Sequence, residues 1–104
     1  MAEFLKVGRV DQVPPGGKFL ADLDGRAIAV FNVDGTFYAI DDACTHDGGP
    51  LAEGQFAGCV IECPRHGARF DVRTGKALGF PAFEPVATLA VDVRDGEIFV
   101  ESND

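Results

Sequence analysis

The sequence predicts an all-β domain, a small barrel or sandwich of short antiparallel strands, and two observations support that prediction. Asp-Gly pairs at Asp24-Gly25, Asp34-Gly35 and Asp95-Gly96 separate runs of β-forming residues. Such pairs favour two-residue hairpins, because the tight turn requires positive φ. No stretch shows the apolar period of an amphipathic helix. At 104 residues the chain has the size of one small domain, so we expect a single domain over residues 1–104.

The individual strands follow from the runs of β-forming residues between turn signals. The first run ends at a turn-forming segment, 11–17, that contains two Pro and two Gly. Near the C-terminus, apolar and small or polar residues alternate over 89–93, which is typical of a half-buried strand. The predicted strands are 4–10, 18–23, 26–33, 36–40, 59–62, 69–72, 86–93 and 97–101.

Two short motifs in the middle of the chain carry metal-binding chemistry. Cys44-Thr45-His46 and Cys63-Pro64-Arg65-His66 each offer one thiolate and one imidazole, and sixteen residues separate them. Four such ligands suit a tetrahedral zinc ion or a two-iron, two-sulfur cluster. Zinc sites usually combine C-x2-4-C with H-x3-5-H, whereas this pattern is C-x-H-x16-C-x2-H. Mixed pairs on two loops fit a dinuclear centre better.

The residues around both motifs resemble the Rieske family. Segments 44–51 and 63–71 are similar to the two cluster loops of that family, and Gly79-Phe80-Pro81-Ala82 is similar to its third, proline-containing loop. The resemblance implies a Rieske-like fold in which residues 38–83 form an inserted cluster-binding subdomain. It also implies one Rieske-type [2Fe-2S] cluster. The implied ligands are Cys44, His46, Cys63 and His66.

Departures from the respiratory Rieske pattern indicate the branch. Gly49 and Arg65 occupy the positions of that branch's disulfide cysteines, and Ala68 and Phe70 occupy the positions of its Ser and Tyr hydroxyls. The resemblance therefore favours a low-potential ferredoxin of a bacterial aromatic-ring-hydroxylating dioxygenase system. Such a protein is a one-electron carrier from a flavin-dependent NAD(P)H reductase to a terminal oxygenase, and is not itself an enzyme. With only two His in the chain, none is left for an oxygen-activating iron site.

Several residues near the motifs have more ordinary interpretations. Gly48, Gly49 and Gly67 are expected to let backbone NH groups approach the sulfides, and the alternative is that they are ordinary turn glycines. Cys59 is interpreted as a small buried hydrophobe. Some carboxylates near the loops have no paired nucleophile and are interpreted as solvated loop charge. These are Asp41, Asp42, Asp47 and Glu53.

Charge and cysteine content limit the partners and the compartment. The net charge of −8 argues against nucleic acid and anionic membranes, and leaves open a basic protein partner or a simple solubility role. Three Cys in so short a chain cannot all pair, which favours a reducing compartment. The sequence begins without a basic, apolar signal and has no run of about 20 apolar residues. We therefore expect a soluble cytoplasmic protein.

Three alternatives stay open from the sequence. One is the small subunit of an assimilatory nitrite reductase, which resembles this fold but often lacks the four ligands. Another is a zinc-stabilised interaction module with no redox role. The third is a ferredoxin that serves iron–sulfur assembly or another housekeeping pathway.

Overall fold

A computed structural model of the chain describes residues 3–43, 50–64, 67–79 and 84–102. These residues form ten strands and one short 3-10 helix, Val10–Gln12, which confirms the all-β fold class. Within those ranges no helix has the length and apolar character needed to cross a membrane. The strands are β1 Glu3–Arg9, β2 Lys18–Leu23, β3 Arg26–Val33, β4 Thr36–Asp41, β5 Gln55–Ala57, β6 Val60–Glu62, β7 Arg69–Asp71, β8 Thr88–Leu89, β9 Val91–Arg94 and β10 Glu97–Ser102.

The strands form three antiparallel sheets. The terminal sheet has the order β1-β10-β9, the central sheet β2-β3-β4-β8, and the small sheet β5-β6-β7. The three Asp-Gly turns join β2 to β3, β3 to β4 and β9 to β10, as predicted. Asp24, Asp34 and Asp95 have φ of 56°, 50° and 51°, and the glycine after each is also at positive φ. The backbone handedness that favours Asp-Gly in hairpins is therefore present at all three turns.

Strand β3 of the central sheet is buried on both faces. Strand β3 alternates between two cores: Ala29 and Phe31 face one, while Ile28 and Val30 face the other. This explains why β3 is an almost continuous apolar run rather than an alternating one. The upper core lies between the central and small sheets and contains Ala29, Phe31, Ile40, Leu51, Ala52, Ile61, Cys63, Ala68, Phe70, Val72 and Val86. The lower core contains Val13, Leu23, Ile28, Val30, Ala39, Leu89, Ile98 and Val100.

The structure differs from the sequence prediction in two strands: β5 has no counterpart among the predicted strands, and the predicted strand 86–93 is two strands. β8 pairs with β4 of the central sheet, whereas β9 pairs with β10 of the terminal sheet. Ala90 lies between them, and its carbonyl accepts a hydrogen bond from the Glu101 amide at 2.9 Å. The chain changes sheets at this residue. The half-buried alternation also fails at Val93, whose side chain is 44% exposed beside the hairpin turn.

Candidate metal centre

Cys63 is the one proposed ligand that lies in the described part of the chain. It follows directly after β6 and is 1% exposed. Its amide donates to the Ala68 carbonyl at 2.6 Å, and its carbonyl accepts from the Gly67 amide at 3.1 Å. These bonds close a narrow loop between β6 and β7 and fix the backbone of Cys63. Cys44, His46 and His66 lie outside the described residues.

Gly67 has a different role from the one the sequence indicated. Its φ of +76° places it in the left-handed region, which favours glycine. Its amide already donates to the Cys63 carbonyl, so the prediction that this NH approaches a sulfide is wrong for Gly67. The turn itself requires glycine here. Gly48 and Gly49 lie outside the described residues.

Two carboxylates at the start of the first loop have defined partners. Asp41 Oδ1 accepts from Arg26 Nε at 2.5 Å, and this bond raises the pKa of the guanidinium. Asp42 Oδ1 accepts from the amides of Leu51 at 2.9 Å and Ala52 at 2.8 Å. The interpretation as solvated loop charge is therefore wrong for both. Glu53 is exposed, as that interpretation requires, and Asp47 lies outside the described residues.

The segment that returns from the first loop is a turn held by Lys18. Gly54 donates its amide to the Leu51 carbonyl at 3.2 Å, which closes the turn over 51–54. Lys18, the first residue of β2, donates its Nζ to the carbonyl of Ala52 and, at 2.5 Å, to that of Gly54. A side chain of the central sheet therefore binds this turn directly. Neither Lys18 nor Gly54 was a site candidate from the sequence.

Gly54 brings the two loops together. A Cβ atom on Gly54 would lie 1.6 Å from the Glu62 carbonyl oxygen and 3.1 Å from Pro64 Cδ. These two residues flank Cys63 on either side. The returning segment of the first loop thus contacts the start of the second at a distance that only glycine allows. No motif in the sequence signals this contact, because it depends on the register of the β5–β6 hairpin, in which Gln55 pairs with Glu62.

The third cysteine lies away from the loop ends, beside an ion pair. Cys59 is half-buried against the upper core, so it is less covered than a buried hydrophobe. Arg73 donates to both oxygens of Asp71, from Nε at 3.1 Å and from Nη2 at 2.9 Å. This pairing is the main reason that the pKa of Asp71 is lowered, and the Cys59 thiol adds a weaker hydrogen bond. Cys59 therefore belongs to the structural surroundings of β7.

The donor chemistry fits a [2Fe-2S] cluster. Cys63 forms no disulfide, and its amide and carbonyl are bonded to Ala68 and Gly67, so its thiol is the group of this residue that could bind a metal. Within the described ranges no group of three or more His, Cys, Asp or Glu is placed to bind a metal ion. Further donors to a metal at Cys63 would come from residues beyond those ranges. Two thiolates and two imidazoles are the set that a Rieske cluster needs.

Comparison with known proteins identifies the class. The chain belongs to the Rieske [2Fe-2S] domain family, whose model matches residues 3–90. This membership confirms the predicted family and the predicted cofactor, one Rieske-type [2Fe-2S] cluster. It also agrees with the described fold, in which ten antiparallel strands support the loop that begins at Cys63.

The relatives are more specific. The biphenyl dioxygenase ferredoxin subunit of Pseudomonas sp. (strain KKS102) is 39% identical over 99 residues, covering 94% of this chain and 91% of that protein. The 3-phenylpropionate/cinnamic acid dioxygenase ferredoxin subunit of Escherichia coli (strain K12) is 43% identical over 93 residues, covering 88% and 87%. A chain in the solved complex of reduced oxygenase and oxidized ferredoxin in carbazole 1,9a-dioxygenase is 39% identical, with a TM-score of 0.88 and coverage of 93% and 91%. The predicted resemblance to dioxygenase ferredoxins is confirmed.

Proposed function

We propose that this chain carries single electrons from a flavin-dependent NAD(P)H reductase to a terminal oxygenase of an aromatic-ring dioxygenase system. The observation that carries the proposal is similarity over nearly the whole chain to ferredoxin subunits of such systems. A similar chain forms a complex with an oxygenase in a solved structure. The proposed compartment is the cytoplasm, where the free thiol of Cys59 would stay reduced.

The proposed cluster ligands are Cys44, His46, Cys63 and His66. When bound, the cluster supplies one-electron redox chemistry. Two thiolates neutralise the positive charge of an oxidised core and neutral imidazoles add none, so the site binds an electron more easily than a four-thiolate site. Residues 38–83 would form the cluster-binding part of a single domain. The central sheet beneath the upper core would hold that part in place.

Reconstitution tests the proposal directly. The chain is combined with NAD(P)H, a dioxygenase-system flavin reductase and its terminal oxygenase, and oxygen uptake that depends on the aromatic substrate is followed. We expect uptake to require the chain. A chain that is reduced but does not support uptake, and instead supports nitrite reduction with the corresponding large subunit, would favour the nitrite reductase alternative. Colourless protein that contains zinc would favour the interaction module.

The midpoint potential should respond to hydroxyls at Ala68 and Phe70. Both are fully buried in the upper core with Cys63, and the Ala68 carbonyl accepts the Cys63 amide. A hydroxyl donor stabilises the reduced, more negative site, so its absence lowers the potential. A charge-assisted bond of about 1.5 to 3 kcal/mol corresponds to roughly 60 to 130 mV as an upper bound. We expect Ala68→Ser, with or without Phe70→Tyr, to raise the midpoint in protein-film voltammetry.

The wild-type midpoint should lie near the low end of the Rieske range, around −150 mV. Ala57→Ser is the matched control, because Ala57 is exposed at the end of β5, next to the turn that leads to β6. The midpoint potential of this variant should equal that of the wild type. A wild-type midpoint above roughly +100 mV would contradict the low-potential assignment.

Electron transfer with the reductase should slow as salt is added. Residues 60–79 contain four basic and two acidic residues, whereas the rest of the chain contains five basic and fifteen acidic ones. We expect the acidic part, which includes exposed Glu53 after the first loop, to steer a basic partner. Screening weakens this attraction as the Debye length falls to about 8 Å at physiological ionic strength. Stopped-flow reduction at increasing salt measures the effect.

Glu53→Gln should flatten this salt dependence. The control is Asp34→Asn, which removes one negative charge from the hairpin turn before β4, whereas Asp42 and the first loop follow the other end of that strand. Asn tolerates the φ of 50° at this position. This control should keep the wild-type salt dependence. If the wild-type rate of electron transfer does not change with salt, the net charge of −8 contributes to solubility alone.

A further inference from the structure

We infer that Asp42 and Lys18 are a pair of positioning residues that clamp the first cluster loop and set its distance from the second. The inference deepens the proposed function, since it assumes that the two loops share one cluster. Lys18 begins β2, and Asp42 directly follows β4 and donates its amide to the Ala27 carbonyl of β3 at 3.0 Å, so both are held by the central sheet. Each binds the turn 51–54, at which the first loop returns to the small sheet.

The two side chains bind different backbone groups of the turn. The Asp42 carboxylate accepts the amides of Leu51 and Ala52 at 2.9 and 2.8 Å. The Lys18 ammonium donates to the carbonyls of Ala52 and Gly54. Amides and carbonyls of one short turn are thus satisfied by one negative and one positive side chain. Hydrogen bonds to charged groups are among the stronger ones in proteins, so two at each side chain restrain the turn firmly.

The position of the turn controls the second loop through Gly54. Its Cα packs against the Glu62 carbonyl, directly before Cys63, with no room for a Cβ. A displacement of the turn would therefore move the trailing end of the first loop relative to Cys63. Because a cluster held from two loops requires fixed ligand spacing, the clamp preorganises the site before the metal is bound. The charges of Asp42 and Lys18 are opposite, so their electrostatic effects on the cluster largely cancel.

Cluster retention distinguishes this role from general stability. Holoprotein is exposed anaerobically to an iron chelator, and loss of the visible absorbance is timed for Asp42→Ala, Lys18→Met and Asp42→Asn. We expect about tenfold faster loss for Asp42→Ala and Lys18→Met, because each loses two hydrogen bonds to the turn. Asp42→Asn keeps an acceptor oxygen at the same place and should stay within about threefold of the wild type. The EPR spectrum of the reduced protein should broaden only in the first two variants.

Two control variants remove a basic side chain that does not bind the turn. Arg26→Met removes the ion pair to Asp41 on the same sheet, and Lys6→Met removes a lysine whose partner, Glu97, lies on the terminal sheet. Neither side chain binds the turn, so both should lose the cluster at the wild-type rate even if they melt earlier.

The outcomes separate the two proposals. If Asp42→Ala does not accumulate as holoprotein, the retention of the cluster in Lys18→Met and Asp42→Asn still tests the clamp. Wild-type retention in Lys18→Met, or retention lost equally in Arg26→Met, would overturn the clamp while leaving the cluster assignment intact. Wild-type protein without iron or sulfide would instead overturn the assignment on which the clamp rests.

Discussion

Replacing Gly54 with alanine should destabilise the protein and deplete the cluster. The added Cβ would lie 1.6 Å from the Glu62 carbonyl oxygen, so backbone must move to admit it. Such overpacking costs about 3 kcal/mol in the free energy of unfolding, at the upper end of typical values. Because the displaced atoms flank Cys63, we also expect a lower iron content per chain. Denaturant unfolding and iron analysis measure the two effects.

Gly58→Ala is the control for this change. Gly58 lies in the same small sheet, at the turn between β5 and β6, with φ of +63° and open space around its Cα. Alanine there meets no atom and costs about 1 to 2 kcal/mol through backbone strain alone. The control should keep a full complement of iron. Wild-type stability and iron content in Gly54→Ala would show that the two loops are not in contact as described.

Replacing Cys63 with alanine should abolish the cluster. Removing a thiolate leaves an open position on the iron, which exposes it to water and oxygen. We expect protein without visible absorbance and with little iron or acid-labile sulfide. Cys59→Ala is the matched control, because Cys59 is a free, half-buried thiol that belongs to the surroundings of β7. It should retain colour and metal. Stable red protein from Cys63→Ala would show that the ligands are misassigned.

The fold was largely predictable because local signals agree with tertiary structure in this chain. Each Asp-Gly pair needs only its own backbone geometry to form a turn, and all three turns are present. The division of 86–93 into β8 and β9 was not predictable. Both strands are extended, and periodicity does not indicate that one pairs with β4 and the other with β10.

The sequence predicts the ligands of the site, which stay a prediction, but it does not predict the contacts that support the loops. Cys63 stands in a motif whose spacing indicates its role. By contrast, Lys18 lies 34 residues before Ala52, the carbonyl of which it binds, and Gly54 is glycine because of Glu62 on another strand. The Lys18 contact exists only after the central and small sheets have packed, and the Gly54 contact depends on the register of the β5–β6 hairpin. A lysine in a β-strand and a glycine in a loop otherwise look ordinary.

Iron and acid-labile sulfide analysis of the purified wild-type protein tests the central claim most directly. The claim is that Cys44, His46, Cys63 and His66 together bind one Rieske-type [2Fe-2S] cluster. The predicted result is two irons and two sulfides per chain, as the cluster composition requires. One zinc ion per chain with no sulfide would contradict it.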